Sequence, residues 1–137
     1  MIIDATDKIL GRMATFVAKK ALQGEKVEVI NSEKAVVTGD KSQVLAKFKQ
    51  RKDRGIPLKG PYYPKKSEAI VRRAIRGMLP FKRSKGREAF KNVVCYASVP
   101  DHLKDKKPEE IKNANIDKVP NLRYITIERI SQYLGGK

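Results

Sequence analysis

The chain has 137 residues, and its 31 lysines and arginines against 15 acidic residues leave a formal net charge of +16. That length suits one domain with a real hydrophobic core, and the single cysteine, Cys95, excludes an intramolecular disulfide and any cysteine-based zinc finger. No apolar run approaches the roughly 20 residues that cross a bilayer, and Met1-Ile2-Ile3-Asp4 has no charged region ahead of an apolar one, so the expectation is a soluble intracellular protein without a secretory leader or membrane contact.

Ile2–Ala5 is predicted as a short buried strand. Thr6 or Asp7 is placed to cap the following helix, in which Ile9, Met13, Phe16, Val17, Ala21 and Leu22 form one apolar stripe and which Gly24 ends. Lys8, Arg12 and Lys19 lie on another face, where a solvated helix surface and a contact with a polyanion both account for them. Val27–Ile30 is a second strand and Ala35–Val37 a further apolar run, so strand, helix and strand make the pattern of a right-handed parallel crossover. Gly39-Asp40 opens a second helix, with Asp40 as cap, Gln43 reaching back to it, and Val44, Leu45 and Phe48 on its apolar side. Beyond Phe48, the run Lys49–Gly55 has no apolar periodicity and predicts a frayed helix end entering a loop.

Gly55–Pro64 is a loop by its turn chemistry, with two glycines, three prolines and the pair Tyr62-Tyr63. Gly55 and Gly60 have the spacing of a phosphate-cradling loop, but Pro61 and Tyr62 stand where a lysine and a hydroxyl are needed, which excludes a nucleotide-binding loop of that type. Ser67 is expected to cap a third helix whose stripe is Ile70, Val71, Ala74, Ile75, Met78 and Leu79. Arg72, Arg73 and Arg76 fall on a separate face, and Pro80 ends the helix. Asn92–Tyr96 reads as a strand covered on both faces. Residues 101–122 are polar and mixed in charge, a surface excursion ordered only if something holds it, with at most a short helix at Pro108–Lys112 whose first turn carries Glu109-Glu110. A strand at Tyr124–Ile127 and a last helix with Ile127, Ile130 and Leu134 on one face are expected to dock.

The charge is not spread evenly. Residues 41–91 hold 17 of the basic side chains and three acidic ones, a net of +14, against +2 for everything else. Charge concentrated in this way needs a polyanionic partner to offset its self-repulsion. Its three groups, 47–54, 65–76 and 82–91, are separated by prolines and glycines. Many of the cations are arginines, whose guanidinium forks onto phosphate as an ammonium cannot. Tyr62 and Tyr63 sit among them, either stacked on unpaired bases or packed onto the domain. Basic side chains on irregular loops and one helix face suit a folded RNA better than a duplex groove. The candidate contacts are Lys8 and Arg12 in the first helix; Lys49, Arg51, Lys52 and Arg54; Lys59, Tyr62, Tyr63, Lys65 and Lys66; Arg72, Arg73 and Arg76; and Lys82, Arg83, Lys85 and Arg87.

Catalysis has little to draw on. His102, the single histidine, has no serine motif or carboxylate pair beside it, Cys95 lies in an apolar run as a buried inert thiol, and no acidic cluster has metal-ligand spacing. No catalytic residue, cofactor or metal is expected. A small enzyme acting on nucleic acid and a free RNA-binding regulator stand as alternatives, the first requiring turnover and a cleft of titratable groups, the second a discrete RNA target.

Ile9-Leu10-Gly11-Arg12-Met13-Ala14, Val36-Val37-Thr38-Gly39-Asp40, Ile75-Arg76-Gly77-Met78-Leu79-Pro80, Lys85-Gly86-Arg87 and Val93–Tyr96 occur in this order. With them the chain resembles the universal ribosomal protein thirteen family of the large subunit through about residues 2–100, and its ending, Arg123–Ile127 with the helix after it, resembles the archaeal branch. The resemblance implies a three-layer α/β/α domain around a four-stranded, mostly parallel sheet, the fourth strand being Ala35–Val37 or Tyr124–Ile127. It divides the chain into a core at 1–100 and a C-terminal extension at 101–137. It implies a cytoplasmic, non-catalytic role on large-subunit ribosomal RNA beside neighbouring ribosomal proteins, with messenger RNA as a further ligand and no stable homo-oligomer. Met78 and Leu79 would pack inward while Arg72, Arg73 and Arg76 face phosphate.

Overall fold

In the computed structural model, which describes residues 1–136, short strands alternate with helices: β1 (Ile2–Asp4), α1 (Leu10–Leu22), β2 (Val27–Ile30), β3 (Val36–Thr38), α2 (Lys41–Asp53), α3 (Ser67–Gly77), α4 (Ser84–Lys91), β4 (Val93–Cys95), β5 (Tyr124–Thr126) and α5 (Ile127–Tyr133). The α/β class stands, but the sheet differs from expectation. β1, β2 and β4 form a three-stranded parallel sheet with β2 in the centre, pairing Ile3 with Val29 and Val29 with Cys95. β3 and β5, the two segments considered for a fourth strand, instead pair with each other in an antiparallel ladder, Val37 opposite Ile125.

The reason lies just after β2. Asn31 is left-handed, at φ 53°, and a 3-10 turn at Ser32–Lys34 follows, so the chain leaves the sheet before Ala35. The Asn31 side-chain amide donates to the Asp4 carboxylate at 3.1 Å. The same carboxylate accepts from the Thr6 amide at 2.9 Å and the Thr6 hydroxyl at 2.7 Å. Burial works to raise the Asp4 pKa, but these hydrogen bonds, with Lys34 nearby, prevail and hold it below its ordinary value. Thr6 is thereby committed to Asp4, and α1 begins at Leu10 without a side-chain cap.

Other helix boundaries shift for similar reasons. The Asp40 carboxylate precedes α2 as expected, but it accepts from the Ser42 hydroxyl at 2.8 Å rather than from a first-turn amide. α2 then continues to Asp53 where fraying was expected, because Lys, Gln and Arg are good helix formers even without an apolar stripe. Ser67 is the first residue of α3, not its cap, and its hydroxyl lies 3.3 Å from the Glu68 carboxylate.

One face of the parallel sheet, carrying Ile3, Val27, Val29, Val93 and Cys95, is buried under the helices. The other is not sealed: Val94 is 39% exposed, so β4 is not covered on both faces as predicted. The 101–122 segment is held by the rest of the chain. The Glu109 amide donates to the Ile2 carbonyl at 2.7 Å and the Ile9 amide to the Ala114 carbonyl at 2.7 Å, which draws the segment along β1 and the start of α1. Leu103, Ile111, Ala114 and Ile116 are buried there, and Pro108–Lys112 does not form the short helix expected. At the end of the chain the Thr126 hydroxyl caps α5, which buries Ile127, Ile130 and Leu134 in the same core as α1 and α3. The Ser131 hydroxyl donates to the Lys65 carbonyl at 2.6 Å, joining α5 to the chain just ahead of α3.

Candidate nucleic-acid interface

α3 buries Ile70, Val71 and Ile75, so its arginines face outward, and each lies against an aromatic ring. The guanidinium carbon of Arg72 is 4.5 Å from the centre of the Phe90 ring, that of Arg73 4.9 Å from Tyr63, and that of Arg76 5.1 Å from Phe81. In α2, Arg51 stands 5.5 Å over Phe48, one helical turn before it. The rings are themselves paired edge to face, Phe48 with Tyr63 at 6.1 Å and Phe81 with Phe90 at 5.5 Å. Four guanidiniums are thus located by rings, each contact contributing about 0.5–2 kcal/mol. Among the described residues the ion pairs are Lys20–Glu25 and Lys104–Asp101, and neither uses a cation between 41 and 91. The arginines therefore keep both their charge and their N–H donors for an external partner.

Three adjoining depressions connect these groups. A cleft of about 410 Å³ between α2 and α3 brings together Arg51, Arg54, Tyr63 and Arg73. Beside it, a hollow of about 360 Å³ shares Tyr63 and Arg73 and adds Tyr62, Arg72, Arg76 and Phe90. A third, of about 540 Å³, shares Arg76 and adds Phe81, Lys82 and Arg83. The last cluster is held close by Gly86, whose place in α4 admits no side chain: a Cβ there would stand 2.2 Å from the Pro80 carbonyl oxygen. The glycine that interrupts the basic run in sequence is what lets α4 lie against the Pro80–Phe81 turn.

The remaining candidates sort by position. Lys49, Lys52, Lys59, Lys65, Lys66, Lys85 and Arg87 are exposed on the same stretch of chain. Tyr63 is half-buried against Phe48. Tyr62 is 68% exposed, its hydroxyl donating to the Pro57 carbonyl at 2.6 Å. Lys8 and Arg12 go elsewhere. Lys8 lies in backbone contact with Asn115, and an Arg12 guanidinium nitrogen donates to the Asn113 carbonyl at 3.2 Å. Leu79 packs inward as expected, but Met78 does not: it is 43% exposed, and its sulfur accepts from the Thr15 hydroxyl at 3.0 Å. Sequence reasoning missed Phe48, Phe81 and Phe90 as ring platforms. Phe48 three residues before Arg51 in a helix was the one available signal.

Elsewhere, burial drives the Cys95 thiol up to about 12, which leaves it protonated and unreactive near neutrality. His102 sits edge-on to Tyr96, with its ring nitrogen 3.9 Å from the Glu28 carboxylate, which also accepts from the Tyr96 hydroxyl at 3.5 Å. Among the described residues no helix is long and apolar enough to cross a membrane, and no cluster of three or more potential ligands could hold a metal ion.

The ribosomal protein L13 family matches this chain over residues 1–102. The chain is similar to large ribosomal subunit protein uL13 of Archaeoglobus fulgidus, 44% identical over 135 residues, covering 98% of this chain and 86% of that protein. It is also similar to that of Thermoplasma volcanium, 44% identical over 135 residues and covering 98% of both chains. For Methanopyrus kandleri the identity is 42% over 136 residues, covering 98% of this chain and 86% of the relative.

Proposed function

The chain belongs to the ribosomal protein L13 family, and from that premise we propose that its α2–α3–α4 face binds and organises large-subunit ribosomal RNA during assembly. As a member of the family it is a non-enzymatic structural component of the large ribosomal subunit, placed in the cytoplasmic ribosome. The observation that carries the reading is the chain of guanidiniums Arg51, Arg73, Arg72 and Arg76, each stacked on a ring and none paired with a carboxylate among the described residues. Stacked, unpaired arginines supply forked donors to phosphates at positions fixed before the RNA arrives.

On this reading Lys49, Lys52, Lys59, Lys65, Lys66, Lys82, Arg83, Lys85 and Arg87 extend the phosphate contacts on either side. Residues 1–100 carry the face, and 101–136 brace it by lying along β1 and α1 and by tying α5 to Lys65. Lys8 and Arg12, beside that brace, contribute to a second and smaller contact with RNA or a neighbouring ribosomal protein.

Sedimentation of a cell extract through sucrose at moderate and then high salt tests this. Co-migration with large subunits through the high-salt wash is the expected result. Recovery at the top of the gradient would remove the ribosomal reading and favour a free RNA-binding role.

A further inference from the structure

We propose that the cleft between α2 and α3 takes a single unpaired nucleotide extruded from the RNA, its phosphate on Arg51 and Arg54 and its base between the apolar walls and the Arg73–Tyr63 stack. The proposal rests on the reading that this face meets ribosomal RNA, and adds what one part of it is built to hold.

The cleft differs from the rest of the basic face in what lies beneath the charge. Its base and sides are Leu10, Ile70 and Ala74 with the rings of Phe48 and Tyr63, while Arg51, Arg54 and Arg73 stand around it. A phosphate backbone crossing the surface needs the cations and has no use for an apolar floor. A base drawn out of its stack needs both, because its flat faces must be covered while its phosphate is neutralised. The volume, about 410 Å³, falls within the roughly 300–1,000 Å³ of sites that take small organic ligands. A protein side chain entering the same cleft would have to be acidic to suit three guanidiniums, whereas a nucleotide brings its own charge together with an apolar plane.

Gly77 is the second, independent observation. It lies in α3 and lines the cleft, its φ is not in the left-handed region, and a Cβ built on it would meet no atom within 4 Å. No contact within the fold requires a glycine here, at the last residue of α3, and the space its missing side chain leaves lets a ligand in the cleft come close to the backbone.

The test is ultraviolet cross-linking of intact large subunits in which this chain is the only copy, followed by digestion and mass spectrometry, beside subunits carrying Gly77→Leu. The expected result is one nucleotide attached to Phe48 or Tyr63 in the unsubstituted subunits. In Gly77→Leu subunits that adduct should fall at least several-fold, while the chain is incorporated and adducts at 82–87 persist. Adducts at 82–87 with none at Phe48 or Tyr63 would overturn the nucleotide site and leave the RNA face standing. A peptide rather than a nucleotide attached at Tyr63 would overturn it too, and assign the cleft to a neighbouring protein. Absence of the unsubstituted chain from large subunits would remove both readings. Should Gly77→Leu fail to enter subunits, Gly77→Ala replaces it. That substitution should melt no lower than the parent, and an adduct unchanged by it would also count against the proposal.

Discussion

The guanidinium of Arg72 stands over the ring of Phe90, 4.5 Å from its centre, although the two residues belong to different helices and are separated by the Pro80 turn. The contact ties α3 to α4 across the basic face, and it orients a cation without neutralising it. Replacing Phe90 by leucine keeps every charge and removes the platform. Ribosomal RNA affinity is expected to fall roughly 2- to 30-fold, the equivalent of about 0.5–2 kcal/mol, with Phe90→Tyr restoring it. Filter binding of a large-subunit RNA fragment measures both. Equal affinity for Phe90→Leu and the parent would show that the ring only packs.

Changing Arg72, Arg73 and Arg76 together to alanine removes the three guanidiniums from the face of α3 opposite Ile70, Val71 and Ile75, and should leave a folded chain whose melting transition is lowered by the loss of their ring contacts. If the parent neutralises about ten phosphates, its log–log salt dependence has a slope on the order of −7 to −9, and the triple variant loses about 2–3 units of it. Incorporation into large subunits should fail. A folded triple variant that enters subunits normally would remove α3 from the interface.

Gly86→Ala carries no charge change and sits in the middle of the last basic cluster. Its methyl group would meet the Pro80 carbonyl oxygen and carbon at 2.2 and 2.4 Å, so backbone must move to admit it. Destabilisation of about 1–3 kcal/mol is expected by urea denaturation, together with weaker RNA binding as α4 shifts from Phe81. Unchanged stability would mean that α4 is not pinned at this point.

Cys95 predicts an alkaline limb to the stability curve. Its thiol is raised by burial from 9.0 to about 12, so between those values the unfolded chain gives up a proton that the folded chain keeps. Stability contributed by the neutral thiol is complete below pH 9 and declines as pH rises toward 12, by about 1.4 kcal/mol per unit. Tyr96, raised by burial and by Glu28 beside it, declines in the same direction. Denaturation midpoints of Cys95→Ala against the parent should therefore converge above pH 9. A parallel pair of curves would place the thiol in contact with solvent.

Much of this was legible in the residues. Most of the 3.6-residue stripes of α1 and α3, Met78 excepted, and the terminal stripe Ile127–Ile130–Leu134 face the core as expected, since helical periodicity reports burial directly. What failed was decided by contacts between residues remote in sequence. Nothing local says that Asn31 reaches back to Asp4 and turns the chain out of the sheet, or that Ile111 and Ala114 find β1 and α1 and hold a segment of disordered composition. Capping failed where a side chain had a nearer partner, as Asp40 does in Ser42. The interface was legible as charge, because 14 of the 16 net charges lie in one stretch. It was not legible as geometry, since Phe81 and Phe90 become platforms only once α4 folds back onto α3.

The bond from the Ser131 hydroxyl to the Lys65 carbonyl, 66 positions earlier, has a consequence for the order of synthesis. β5 and α5 follow every basic residue of the α2–α3–α4 face in sequence, yet they pair with β3 and pack beside α3, on which the arginines are displayed. A nascent chain not yet extended through residues 124–134 has every basic side chain of the interface but not the scaffold that spaces them. Because domains complete their folding as units once enough chain has emerged, the RNA-competent surface is expected to form only after these later residues have emerged.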